Sequence, residues 1–156
     1  PVVGDAEARN ALGVRLLQSL QSEPERFLFD TYFRTFKLRF ESRLPALLPQ
    51  VYLHYDPRTI QERTTPVLVR QRMDFLMLLR DAARIVIEID GKHHYADENG
   101  RAQPSRYAEM VAEDRRIKLL GYEVYRFGGE EFVDRDKSRE VIVTFFEELF
   151  ARHGIR

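Results

Sequence analysis

The chain has no cysteine among its 156 residues, which excludes disulfides and thiolate-held metal and fits a reducing compartment. Net charge is missing too, because 25 Lys and Arg balance 25 Asp and Glu. Nothing in that balance announces a polyanion or a membrane surface, so any contact with nucleic acid must come from a local patch. No apolar run approaches the roughly 20 residues of a membrane span, and no basic, apolar, small-residue signal opens the chain. These absences predict a cytoplasmic protein with no membrane partner. Internal repeats, low-complexity tracts and flexible linkers are also lacking. The sequence starts at Pro1 without a methionine, as expected of a processed chain or a piece of a longer one. With 44% hydrophobic residues, the length suits one well-filled domain over 1–156 and is short for two. Within it, an accessory N-terminal helix (1–21) precedes a core (25–153).

What is present gathers around R-I-V-I-E-I-D-G-K-H-H-Y, residues 84–95. Ile85, Val86, Ile87 and Ile89 are β-branched, so 84–90 reads as a largely buried strand. Alternation sets Val86, Glu88 and Asp90 on one side and Ile85, Ile87 and Ile89 on the other. The two acids therefore leave an oily strand together, with β-carbons roughly 6–7 Å apart, a span that a divalent cation can bridge. Lys92 keeps the same parity if the chain stays extended past Gly91. The competing account is a frayed strand end in water, since burying unpaired carboxylates costs several kcal/mol.

Around this strand the chain reads as follows. Residues 5–20 form a helix with Asp5 as N-cap and Ala8, Leu12, Leu16, Leu17 and Leu20 inward. Ser22 and Glu25 make a capping box for a long helix reaching about Leu47, striped by Phe29, Phe33, Phe36, Phe40, Leu44 and Leu47. Glu41 stands beside that stripe, within reach of a neighbouring sheet or simply in solvent. A strand follows at 51–56, then a polar loop. Met73–Leu79, M-D-F-L-M-L-L, is a strand with Asp74 embedded, and a buried aspartate needs a partner or a purpose. The turn R-D-A-A-R makes this strand and 84–90 a hairpin that lays Asp74 beside Glu88 and Asp90. A helix over 105–120 turns Tyr107, Met110, Val111, Asp114, Ile117 and Leu120 inward, with Asp114 expected to pair with Lys118. Gly121 ends it as a C′ glycine, Y-E-V-Y-R-F is a strand, and a final helix spans 138–152. The order predicts an α/β fold: a mixed sheet of about four strands flanked by helices.

Three acids from two adjacent strands suit Mg2+ or Mn2+, which take oxygen ligands, and Lys92 nearby allows a metal-bound water and a phosphate to share the site. Metal-assisted phosphodiester hydrolysis is the matching chemistry. The arrangement Asp74 … Glu88-Ile-Asp90-Gly-Lys92 resembles the PD-(D/E)XK, or restriction-endonuclease-like, superfamily. More closely, E-I-D-G-K-H-H followed by D-R-R-I-K-L-L-G-Y-E-V-Y-R-F is similar to the E-x-D-G-x-x-H … D … L … G-Y-x-V-x-R-F pattern of its very-short-patch-repair-like branch. The resemblance covers roughly residues 41–127. It implies a restriction-endonuclease-like fold in which Asp74, Glu88 and Asp90 hold metal, Lys92 assists and His94 matches the branch histidine. It also implies that Glu41 is the acid many members carry on the first core helix, and that Asp114 and Arg126 are supportive.

Met73 stands where the name-giving motif has proline. The acid-x-lysine reads in two registers, Glu88-x-Asp90 or Asp90-x-Lys92, and both put their residues on one strand face. His93 and His94 also invite zinc, but adjacent side chains point apart, and a tetrahedral site would need His54 or His153 as well. His94 as a phosphate or leaving-group contact and His94 as a plain loop histidine both stay open. Arg70, Arg72, Lys92, Arg101, Arg106, Arg115 and Arg116 are candidate phosphate contacts beside the site, as is Arg126. The sequence reading is thus a metal-dependent nuclease acting on DNA in preference to RNA, with sequence specificity absent or supplied by another domain, and expected as an effector in a larger repair or phage-defence protein. A homodimer is an open arrangement. The alternative is an inactive nuclease-fold module for nucleic-acid or protein binding or for oligomerisation.

Overall fold

Helix ends in this chain are set by short polar residues and by backbone conformation, and the aromatic spacing decides what the helices bury. The computed structural model of the chain describes residues 4–52, 72–80, 82–91 and 101–156. Helix α1 (Asp5–Ser19) is preceded by Gly4 as its N-cap residue, so Asp5 is the first helical residue rather than the cap. Leu20 is buried and Leu16 packs on the core, whereas Leu12 and Leu17 are exposed; α1 docks by its C-terminal end.

Helix α2 (Glu23–Phe40) opens with the expected reciprocal cap. Glu25 N donates to Ser22 Oγ at 3.2 Å, and Ser22 N donates to Glu25 Oε1 at 3.1 Å. Its buried face is Leu28, Phe29, Tyr32, Phe36 and Phe40, and the Tyr32 hydroxyl donates to Pro45 O at 2.7 Å. The helix stops at Phe40 rather than near Leu47, because Glu41 adopts φ 50, a left-handed conformation that a right-handed helix cannot continue. A 3-10 turn (Glu41–Arg43) leads into strand β1 (Ala46–Tyr52). Leu44 and Leu47 therefore serve a turn and a strand. The strand expected over 51–56 begins at Ala46 instead, and residues 53–56 lie outside the described residues.

Strands β2 (Arg72–Leu78), β3 (Arg84–Asp90) and β4 (Tyr122–Gly128) complete a four-stranded sheet of order β1-β2-β3-β4. The first three strands are antiparallel, and β4 runs parallel to β3. A parallel neighbour requires a crossover, which helix α3 (Pro104–Leu119) supplies before Gly121, at φ 88, closes it. Helix α4 (Arg135–Arg152) follows a 3-10 turn (Gly129–Phe132). It starts at Arg135 rather than Ser138, because Asp134 accepts from Asp136 N and Lys137 N and so caps it earlier. The result is the mixed α/β sheet that the sequence predicts.

The alternation of β3 assigns the two faces. Ile85, Ile87 and Ile89 join Phe75, Met77 and Phe127 beneath α2 and α4, where Phe36 and Phe40 meet Phe150 edge-on at 5.3 and 5.2 Å. On the opposite face Val86, Leu76 and Val124 meet Ile117 of α3. Of the α3 residues expected inward, Ile117 is buried, Met110, Val111 and Asp114 are half-buried, and Tyr107 and Leu120 are exposed. No helix among the described residues is long and apolar enough to cross a membrane.

Phe36 is fully buried and Leu38, two residues on, is 88% exposed. Phe36→Ala should therefore cost about 3–5 kcal/mol in urea unfolding, and Leu38→Ala should stay within about 0.5 kcal/mol of the native chain. Equal effects would mean that the helix presents a different face.

Candidate active site

The β2–β3 ladder is regular from Leu78↔Arg84 to Phe75↔Ile87 and then ends. One residue further, Asp74 lies across from Glu88, and its Oδ2 accepts a hydrogen bond from Ile89 N at 2.9 Å. A side-chain oxygen thus takes the place of a ladder partner. On the other side of Asp74 the β1 residue in register is Gln50, held at φ 56 between the pairs Pro49↔Phe75 and Val51↔Met73. On β4, Glu88 pairs with Arg126 and Asp90 with Gly128. Alternation puts Asp74, Glu88, Asp90 and Arg126 on the sheet face that α3 covers further along. The hairpin expected from the sequence therefore does lay Asp74 beside the two β3 acids.

The environment of this row is hostile to negative charge. Glu88 is 7% exposed, and burial, reinforced by Asp74, pushes its carboxyl up to about 8, with Arg126 pulling the other way. Asp74 is pushed up to about 6, first by burial; the Ile89 N–H opposes this, and Glu25 adds to it. Asp90 is held by Arg126, whose Nη1 donates to Asp90 Oδ1 at 2.7 Å. The same guanidinium donates through Nε and Nη2 to Asp114 Oδ1 at 2.9 and 2.7 Å. Asp114 thus pairs with Arg126 across to β4, not with Lys118 along its own helix, because the half-buried row brings the strand's cation closer to hand.

Of the two readings of Glu41, a carboxylate reaching the sheet or one in solvent, the structure has the second. Glu41 follows the last residue of α2 and is exposed, roughly 27 Å of helix away from its start. The acid whose charge reaches Asp74 is Glu25, on the first turn of α2 and 6% exposed. Its Oε2 accepts from Gln21 N at 2.9 Å and from Gln50 Nε2 at 2.7 Å. The signal was there in the capping box, but a capping carboxylate gives no sign in sequence that it also faces a sheet. Gln50 and Gln21 were missed as well; Gln21 Oε1 accepts from Arg72 Nη2 at 2.6 Å, which ties Arg72 to the α1–α2 junction.

Lys92, His93 and His94 lie outside the described residues, as do Arg70 and His54. His153 sits at the end of α4, 3.1 Å from Glu123 at the opposite end of β4, and does not join the acids. Arg116 pairs with Glu113 on α3. Among the described residues no group of three or more Asp, Glu or His stands arranged to hold a metal ion. The donor chemistry at the row nevertheless fits a hard divalent cation. It is all oxygen, and Glu88 Oε1 is buried with no hydrogen-bond partner among the described residues. Gln50 Oε1 and Arg72 Nε, at the same end of the sheet, likewise have no hydrogen-bond partner among the described residues. Beyond β4, the glycine at 129 lies close to Asp90: a β-carbon there would sit 3.2 Å from Asp90 O, so a larger residue would have to push the turn and that main chain a few tenths of an ångström apart.

These carboxyls make stability depend on pH with a definite sign. Unfolded, both ionise near pH 4; folded, Asp74 keeps its proton to about 6 and Glu88 to about 8. The folded chain then binds more protons in that window, so stability in a metal chelator falls as pH rises through it. Glu88→Gln should remove most of the decline between about pH 6 and 8 and leave the variant more stable than the native chain at alkaline pH. Urea unfolding across that range reads this directly, and a flat native profile would contradict a buried carboxyl pair. Comparison with protein-family models, curated proteins and solved structures finds no match to the chain.

Proposed function

We propose that the chain is a metal-dependent nuclease domain of the PD-(D/E)XK, or restriction-endonuclease-like, superfamily. It would hydrolyse phosphodiester bonds, of DNA in preference to RNA, as an effector within a larger repair or phage-defence protein. The observation that carries this reading is the placement of Asp74, Glu88 and Asp90 on one sheet face where the β2–β3 ladder ends, with a Glu88 oxygen buried and without a hydrogen-bond partner among the described residues. Such a row destabilises the fold whenever it is ionised, so scaffolding alone gives no reason for it. The topology supports the same reading, with one acid on β2, an acid pair on β3 and a parallel β4 after a crossover helix.

Asp74, Glu88 and Asp90 would hold Mg2+ or Mn2+, with Glu25 behind Asp74. When bound, such an ion polarises a phosphoryl oxygen and lowers the pKa of the attacking water. Lys92 is assigned, through the resemblance, to orienting that water or offsetting developing charge, and His94 to a phosphate or leaving-group contact. Arg72 and Arg126, with Arg101, Arg106 and Arg115 around α3, are the candidate phosphate contacts, which would make binding strongly salt-dependent. The absence of a three-acid group among the described residues favours one second reading, an inactive nuclease-fold module that binds nucleic acid or protein.

Supercoiled plasmid and single-stranded DNA, incubated with Mg2+ or Mn2+, separate the two. The nuclease reading expects cutting by the native chain and at least about a hundredfold loss in Asp74→Ala and Asp90→Ala. Native protein that binds Mn2+ yet cuts neither substrate would favour the inactive module.

A further inference from the structure

Arg126 is the only described residue that touches both the site row and helix α3 by side-chain hydrogen bonds, and its geometry is asymmetric. Two of its nitrogens, Nε and Nη2, are spent on a single oxygen of Asp114, while Nη1 alone reaches forward to Asp90 Oδ1. The three side chains are only 18%, 20% and 12% exposed, so little water competes for these bonds. Asp114 offsets the arginine's charge and fixes the plane of its guanidinium. The third bond then fixes one oxygen of Asp90. Because Glu88 and Arg126 are paired in the parallel register and Asp90 lies one step further along the same face, the arginine spans from its own row to the next.

We propose that Asp114–Arg126–Asp90 is a positioning relay: Arg126 holds Asp90 Oδ1 and turns the other carboxylate oxygen toward the cation site, and Asp114 sets the arginine that does so. This deepens the metal-site reading and rests on it. Arg126 is a positioning residue here, acting through Asp90 rather than on the ion. The relay also ties α3, which carries Arg106 and Arg115, to a ligand of the site.

The sign of one substitution separates this from the obvious rival. A cation beside the site repels a divalent ion, so deleting Arg126 for charge reasons alone should tighten metal binding. If Arg126 orients a ligand, deleting it weakens binding despite the removed charge, by about tenfold to a hundredfold. Asp114 is tested through a double-mutant cycle. Asp114→Asn should weaken binding in the native background and have no further effect once Arg126 is gone, whereas a through-space charge effect of Asp114 would persist in both.

The experiment is calorimetric titration of the full chain with Mn2+, for the native protein, Arg126→Gln, Asp114→Asn and the double variant, with circular dichroism and melting as fold controls. Weakening in both single variants that does not add in the double supports the relay. Tighter binding in Arg126→Gln, or an Asp114→Asn effect equal in both backgrounds, overturns it while leaving the metal site intact. Unchanged affinity in the variants does the same. A native chain that binds no Mn2+ overturns the metal reading itself, and the relay falls with it. If Arg126→Gln does not fold, Arg126→Lys keeps the charge but loses the fork: weaker Mn2+ binding in a folded Arg126→Lys supports the relay, and unchanged binding overturns it.

Discussion

Strand β3 is covered on both faces, and that single constraint shapes the rest of the molecule. Its odd positions feed an aromatic core shared by α2 and α4, and its even positions start under Ile117 of α3 and end in carboxylates. A strand at the margin of the sheet would leave Glu88 in water, where its charge would be ordinary. Sandwiched between β2 and β4, Glu88 has apolar neighbours, a second acid across one ladder and an arginine across the other. Burial therefore belongs to the topology, and the unusual proton affinities follow from it.

Much of this was legible in the sequence because it depends on local periodicity. The parity of 84–90 placed two acids on one face, the β-branched run identified the strand, and the short polar turn implied the hairpin that brings Asp74 alongside. Gly121 and the Ser22–Glu25 cap marked element ends through chemistry confined to a few neighbours. The errors lie where a decision was taken at longer range. The aromatic spacing continued past Phe40, and nothing in the letters showed that Glu41 would turn left-handed and send Leu47 into a strand. Glu25 and Asp114 have partners on other elements, so their sequence neighbours, Ser22 and Lys118, explained only part of Glu25 and misdirected Asp114.

The α1–α2 junction is likewise built from pairings between distant elements. Gln21, Glu25, Gln50 and Arg72 form a chain of hydrogen bonds that joins a helix start to the ends of β1 and β2. α1 docks by its C-terminal end, where Leu16 and Leu20 meet the core, and these bonds lie between that attachment and the edge of the acidic row. The polar end of the sheet is thus braced from two sides, by the junction at Asp74 and by α3 through Arg126 at Asp90.

The bond from Ile89 N to Asp74 Oδ2 gives position 74 two simultaneous duties. One is electrostatic and the other is architectural, since the carboxylate closes a gap that main-chain pairing leaves open. Replacement by alanine removes both at once, while asparagine keeps an acceptor within reach of the same amide. The Ile89 amide proton consequently reports on the second duty and not on the first. Its exchange with solvent should quicken when the acceptor is lost and stay slow when only the charge is, giving the strand end its own gauge of what occupies position 74.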